Sequence, residues 1–218
     1  MSLLHYAPPT TPYLDILYQD DALVVFNKPS GLLTVPGKAA EHKDSLEYRA
    51  RLVWPGVRVV HRLDMATSGI VLMALTADSQ RELNRQFQQR RTQKHYIARV
   101  SGQVAADYGS IDLPLICDWP NRPKQKVCYQ HGKASLTHYQ VLSRDNHSSR
   151  LKLIPVTGRS HQLRVHMQWL GHPILGDKFY ATAAAFNAAD RLQLHAEQLQ
   201  FLHPVSGTVF HCTAICPF

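Results

Sequence analysis

Residues 61–69 contain the side chains whose types and spacing are best suited to catalysis. They read HRLDMATSG, so the carboxylate of Asp64 lies near the guanidinium of Arg62 and just before a cluster of turn-forming residues. An ionised carboxylate can act as a nucleophile or as a general base. An ordinary alternative is that Asp64 caps a turn through its own backbone.

The elements around this segment would give Asp64 a fixed position. Runs rich in β-branched residues predict strands over residues 57–60 and 70–75, and the Thr-Ser-Gly cluster at 67–69 predicts a turn between them. Asp64 would then lie on a loop between rigid strands, which is a common place for catalytic groups.

Further motifs occur in a fixed order along the chain. They are NKPSGLL at 27–33, KHYIA at 94–98, GRSHQLRVH at 158–166 and GHPILGD at 171–177. With HRLDMATSG, they resemble the RluA family of pseudouridine synthases, and the match extends from about residue 22 to 196. The loop DWPNRPKQKV at 118–127 resembles the member of that family that modifies both ribosomal and transfer RNA.

The resemblance implies that uridine in RNA is isomerised to pseudouridine without a cofactor and that Asp64, Tyr96 and Arg164 are catalytic. Asp64 would attack the anomeric carbon of the sugar or deprotonate the neighbouring carbon, and the sequence leaves both routes open. Tyr96 would stack on the flipped uracil, although a core tyrosine in a strand over 94–100 is an alternative. Arg164 would pair with Asp64 from a short helix that starts near His161. We expect it to lie off the helix's buried stripe; an ordinary surface arginine is the alternative.

The resemblance also implies a set of residues that bind RNA. Arg62 would enter the space vacated by the flipped nucleotide, with a simple salt bridge as the alternative. Apart from the resemblance, the mixture of Trp119 with basic residues in the loop at 118–127 predicts a contact with the RNA backbone, unless that loop is only a solvated connection. These basic residues are Arg122, Lys124 and Lys126. The substrate-binding region would further include His61, Asn27 and Lys28, which shape the pocket rather than react.

Composition fits an RNA partner. The formal net charge is +8 and the sequence pI is about 9.5, as expected for a protein that binds a phosphate backbone. No apolar run is long enough for a membrane helix and no secretory signal is evident, so we expect a cytoplasmic protein without a membrane partner. The four cysteines lack paired CxxC spacing, so we predict no metal site and free thiols.

The order of elements predicts an α+β fold with a mixed, largely antiparallel sheet core and flanking helices. Residues 1–13 would form an extended arm and residues 14–218 the catalytic domain, with no S4 domain. Predicted helices cover 45–54 and 76–91. Predicted strands cover 14–18, 22–27, 136–141, 151–156, 192–201 and 205–212, with a β-bulge near Glu197 and Gln198.

Three other functions share single features with this chain. A non-catalytic RNA-binding module would explain the charge but not the surroundings of Asp64. A glycoside hydrolase usually needs a second carboxylate, and no second acidic residue stands in a comparable motif. A protein kinase would need further motifs that are absent here. We therefore predict a monomeric pseudouridine synthase whose partners are the anticodon stem-loop of tRNA and a stem-loop of 23S rRNA.

Overall fold

The structure, a computed structural model, describes residues 6–218. It divides into two compact units, one made of residues up to Lys94 with Ala196–Pro217 and the other of His95–His195 with Phe218. Of the predicted arm, residues 1–5 lie outside the described part, and residues 6–13 contain neither helix nor strand. The prediction of one catalytic domain over residues 14–218 stays a prediction.

The described residues form short strands and a few helices. The strands are β1 (Ile16–Gln19), β2 (Leu23–Lys28), β3 (Arg58–Val59), β4 (Ser68–Ala74), β5 (Gln93–Ser101), β6 (Tyr108–Asp112), β7 (Leu115–Cys117), β8 (Gln125–Val127), β9 (Leu136–Arg144), β10 (Ser148–Pro155), β11 (Leu194–Leu202) and β12 (Val209–Thr213). The helices are α1 (Leu46–Val53), α2 (Ala77–Gln88), α3 (Gln162–Trp169) and α4 (Ala183–Asn187).

The first unit is built around β4, which is buried along its whole length. Its strand order is β1-β2-β4-β11, with β3 paired to β4 and β12 paired to β11. Leu83 of α2 packs into the core of this unit. A strand covered on both faces is a rigid support, and the loop that carries Asp64 leads directly into it.

The second unit contains the antiparallel order β5-β10-β9-β6 and a separate hairpin of β7 and β8. Helix α3 is buried almost all round. Its polar side chains are satisfied by hydrogen bonds: Gln162 Nε2 donates to Leu136 O at 3.0 Å, and His166 Nδ1 lies 2.9 Å from Thr137 Oγ1. A helix buried in this way needs such partners, because an unpaired polar group inside a protein is costly.

The predicted α+β class is confirmed. Both longer predicted helices are present, and each has the hydroxyl cap that favours a helix start: Ser45 accepts from Tyr48 N, and Thr76 accepts from Ser79 N. The strand predicted over 205–212 begins only at Val209, because residues 203–208 form a tight turn closed by the His203 N–H bond to Thr208 O. The β-bulge near Glu197 stays a prediction, although burial does change phase there.

Candidate active site

The loop that presents Asp64 is anchored through its main chain by the motif at 27–33. Lys28 Nζ and Gly31 N both donate to Met65 O, at 3.1 and 2.9 Å. Ser30 Oγ donates to Ala66 O at 2.7 Å. Three residues of the first motif thus supply three bonds that fix the backbone beside Asp64, which is itself half-buried. The first motif therefore supports the segment that carries Asp64.

The turn in this loop lies earlier than predicted. Residues 65–66 form it, with Thr67 N donating to Asp64 O at 3.1 Å, whereas Ser68 and Gly69 already belong to β4. Gly69 has φ +110°, and a Cβ atom there would lie 2.3 Å from the carbonyl oxygen of Ala196. The prediction of a turn at 67–69 was therefore wrong, because the glycine allows close approach to β11 rather than a reversal of the chain.

Lys28 and Asn27 are supporting residues in this geometry. Lys28 is fully buried, and its Nζ donates to three carbonyl oxygens, those of Pro29, Leu32 and Met65. An ammonium group has three N–H donors, so this placement favours shaping the pocket over direct contact with RNA. Asn27 Nδ2 donates to Asp15 Oδ2 at 3.0 Å.

His61 also has a structural place. Its Nε2 accepts the Leu72 N–H at 3.0 Å, and its ring stacks on Phe87 with centroids 4.9 Å apart. Burial, followed by the charge of Lys94, lowers the pKa of His61 to about 3. The ring is therefore neutral at physiological pH and remains an acceptor. Arg62, the next residue, is exposed, which suits its predicted contact with RNA.

Arg164 in α3 is buried, contrary to the prediction that it lies off the buried stripe. Its Nε and Nη2 donate to the two carboxylate oxygens of Asp177 at 2.8 and 2.7 Å. Its guanidinium also lies 5.2 Å from the ring centroids of both Phe179 and Tyr180. A buried guanidinium needs a well-aligned carboxylate to offset its lost hydration, and Asp177 supplies it.

Asp177 was missed by the sequence reasoning as a functional residue. It closes the motif GHPILGD, to which the sequence analysis gave no role of its own, yet this acid holds Arg164 in place. The feature of the sequence that could have indicated this role is that an acidic residue ends one of the family motifs. Its carboxylate also accepts the backbone N–H groups of Phe179 and Tyr180, at 2.9 and 3.2 Å.

Tyr96 lies in β5 opposite Leu153 of β10 and is half-buried. Asp64 belongs to the first unit, while Tyr96 and Arg164 belong to the second. The pairing of Asp64 with Arg164, and the catalytic roles of all three residues, stay predictions.

The basic loop at 118–127 belongs to a hairpin: β7 ends at Cys117, a short 3₁₀ helix covers Trp119–Asn121, and β8 begins at Gln125. Trp119 is 67% exposed, and the Arg122 guanidinium lies 4.1 Å from the centroid of its ring. Lys126 Nζ pairs with Asp118 Oδ1 at 3.1 Å, while Lys124 is half-buried. Asn121 and then Lys126, by hydrogen bonding, hold the pKa of Asp118 below its usual range. The hairpin thus displays a preassembled aromatic and cationic pair to solvent.

Within residues 6–218, no group of three or more His, Cys, Asp or Glu side chains could hold a metal ion. Over the same range, no helix is both long and apolar enough to cross a membrane. The four cysteines are free thiols.

Comparison with known proteins gives the family. The model of the RNA pseudouridylate synthase family matches residues 22–169. The chain belongs to the RluA family of RNA pseudouridine synthases. Proteins named "Dual-specificity RNA pseudouridine synthase RluA" are 61% identical in Yersinia pestis, over 90% of this chain and 96% of that protein, and 57% identical in Escherichia coli K12, over 95% of each. The Vibrio vulnificus protein of that name is 53% identical over 100% of this chain and 89% of its own.

Solved structures agree with this family. Human RNA Pseudouridylate Synthase Domain Containing 1 superposes on the synthase with a TM-score of 0.81 at 29% identity, over 97% of this chain and 87% of that one. Human RNA Pseudouridylate Synthase Domain Containing 4 superposes with a TM-score of 0.74 at 26% identity, over 93% of this chain and 88% of that one. The synthase is therefore an isomerase that acts on uridine in RNA, and this result favours catalysis over a non-catalytic RNA-binding module.

Proposed function

We propose that this synthase forms pseudouridine in two RNAs, the anticodon stem-loop of tRNA and a stem-loop of 23S rRNA, as a monomeric cytoplasmic enzyme. The observation that carries the dual substrate is the shared dual-specificity name of relatives from three organisms, which match 90–100% of this chain. Recognition of loop shape and flipped bases would let one enzyme use two RNAs that share a short loop.

The reaction breaks the bond between uracil nitrogen 1 and the anomeric carbon of ribose, and forms a bond from that carbon to uracil carbon 5. The proton at carbon 5 then passes to water and nitrogen 1 takes up a proton from water, so the product is an isomer of uridine. Asp64 serves either as the nucleophile at the anomeric carbon or as the base at the adjacent sugar carbon. Its loop, anchored through Met65 and Ala66, supports either role, because small displacements of a reacting group are costly.

The remaining site residues hold the flipped nucleotide and the reacting carboxylate. Arg62, exposed beside the loop, fills the gap that the extruded base leaves in the stack. Tyr96 stacks on the uracil and offers its hydroxyl for hydrogen bonding or proton transfer. Arg164 balances the charge of Asp64. The two hydrogen bonds that hold the Arg164 side chain on Asp177 support this role, because they fix its orientation. Arg122, Lys124 and Lys126 contact the RNA from the hairpin.

The test is tritium release from RNA labelled at carbon 5 of uridine, measured separately on an anticodon stem-loop and on a 23S rRNA fragment. Asp64→Asn should lower release by at least about a thousandfold on both RNAs, as expected when a reacting group is removed. Asp78→Asn, the same change at an exposed acid of α2, is the matched control and should keep full activity. Release from only one RNA would reject the dual substrate, and bound RNA without release would reject catalysis.

The Tyr96 hydroxyl can be tested by Tyr96→Phe. We expect product formation to fall by about a hundredfold while RNA affinity is kept, because the ring still stacks. The control is Tyr108→Phe, at a tyrosine that is 79% exposed. Near-normal turnover of Tyr96→Phe would remove the hydroxyl from the mechanism.

A further inference from the structure

The hydroxyl of Tyr180 connects two parts of the second unit that have separate tasks. It accepts the backbone N–H of Gln125 at 2.8 Å and lies 2.6 Å from His161 Nδ1. Gln125 is the first residue of β8, in the hairpin over residues 115–127, and His161 is the N-cap of α3. One buried side chain therefore bridges the hairpin and the helix that carries Arg164.

His161 holds an unusual backbone conformation at the start of that helix. Its φ is 55°, in the left-handed region that residues other than glycine rarely adopt. Such a conformation persists only where surrounding contacts maintain it. Here the His161 ring stacks on Phe179, with centroids 5.8 Å apart, and meets the edge of Tyr180 at 5.5 Å. Residues 179 and 180 thus stabilise the geometry from which α3 begins.

The same segment holds the Arg164 side chain. Asp177 binds the guanidinium through both carboxylate oxygens, and one of them also accepts the N–H groups of Phe179 and Tyr180. The guanidinium in turn lies over both aromatic rings. Residues 177–180 therefore grip α3 at His161 and at Arg164, and Tyr180 extends this rigid assembly to the hairpin.

We propose that Tyr180 is a positioning residue that couples RNA contact at the hairpin to the placement of Arg164. This inference rests on the proposed function, in which the hairpin contacts RNA and Arg164 serves the reaction. RNA that engages Arg122 then holds the hairpin in place, the Gln125 bond transmits this restraint to Tyr180, and Tyr180 fixes α3. Binding energy from a remote part of the substrate is used in this way to orient the reacting groups.

A double-mutant cycle on labelled anticodon stem-loop RNA tests the coupling. Tyr180→Phe removes the bridging oxygen but keeps the ring that faces Arg164. We expect it to lower the single-turnover rate at saturating RNA about tenfold. Arg122→Ala should weaken RNA binding in both backgrounds, but should lower the saturated rate, about fivefold, only where Tyr180 is intact. Coupling of this size between connected residues is typical of one network.

Controls separate this role from a general loss of stability. Tyr139→Phe removes the hydroxyl of another buried tyrosine in the second unit and should leave both the rate and the effect of Arg122→Ala unchanged. Equal rate effects of Arg122→Ala with and without the Tyr180 hydroxyl would overturn the coupling, whatever the melting temperatures of the variants.

The failure of this inference differs from that of the proposed function. Absence of tritium release from the wild type would reject the proposed function. Release by the wild type, with no effect of Arg122→Ala on binding or rate, would reject the hairpin as an RNA contact and the coupling with it. Additive rate effects would reject the coupling alone.

Discussion

The loop that carries Asp64 and the helix that carries Arg164 are held in opposite ways. The loop is fixed by its main chain, because donors on Lys28, Gly31 and Ser30 bond to its carbonyl groups. In the helix, the Arg164 side chain itself is held by residues 177–180, through the two oxygens of Asp177 and two aromatic rings.

The difference follows from what each residue is proposed to do. A carboxylate that forms a bond or takes a proton must present its oxygens to the substrate, so its backbone is the natural anchor. A cation that only stabilises charge works best when its orientation is set before the reaction. Three variants, taken from the largest expected effect to the smallest, test this comparison.

Asp177→Asn should break the side-chain anchor. It removes the negative charge of the carboxylate that binds buried Arg164 through two hydrogen bonds, and breaking a buried ion pair in this way costs about 3–5 kcal/mol in the free energy of unfolding. Urea unfolding measures this, with Asp107→Asn as the control, since Asp107 pairs with Arg144 at the surface and such pairs contribute about 1 kcal/mol or less. Equal losses for the two variants would show that Arg164 does not depend on Asp177.

Lys28→Met should break the main-chain anchor. Three carbonyl groups lose a donor, and an unsatisfied buried polar group costs about 1–3 kcal/mol, partly offset by removing a buried charge. We expect a net loss of about 2 kcal/mol in urea unfolding and a lower saturated rate of tritium release, because Met65 O beside Asp64 loses the Lys28 donor and keeps the bond from Gly31 N. Lys38→Met, at an exposed lysine of the same unit, should change neither quantity. A stable Lys28→Met variant with full activity would contradict main-chain anchoring.

His61→Gln should change how the stability of the protein depends on pH, which tests whether a neutral ring supports the segment that leads to Asp64. The folded-state pKa of His61 is about 3, against 6.5 for an ordinary histidine, so between these values the unfolded chain binds more protons. Stability contributed by neutral His61 is therefore present above pH 6.5 and is lost as the pH falls towards 3.

The glutamine variant keeps an acceptor for the Leu72 N–H but cannot titrate. Its unfolding free energy, measured by urea from pH 7 to pH 4, should fall less steeply than that of the wild type, by at most about 1.4 kcal/mol per pH unit. His131→Gln, at an exposed histidine, should follow the wild type. Parallel curves for the wild type and His61→Gln would mean that His61 is not held neutral.

Local patterns in the sequence were enough for several features of this molecule. The order of motifs identified the family and placed Asp64 on a loop before a strand, and the hydroxyl residues Ser45 and Thr76 marked two helix starts. These features depend on residues that are close in the chain, where hydrogen bonding and side-chain period leave a readable pattern.

Tertiary structure alone decided how the candidate site is supported. Lys28 reaches Met65 across 37 residues of chain, and Arg164 meets Asp177 across 13. The sequence predicts that Gly69 is a turn residue, whereas in the structure it packs closely against Ala196 of β11. Such partners leave no periodic signal, because the pairing depends on how distant segments pack. The sequence by itself thus determined the family and the candidate reacting residues, whereas packing decided which buried groups hold them in place.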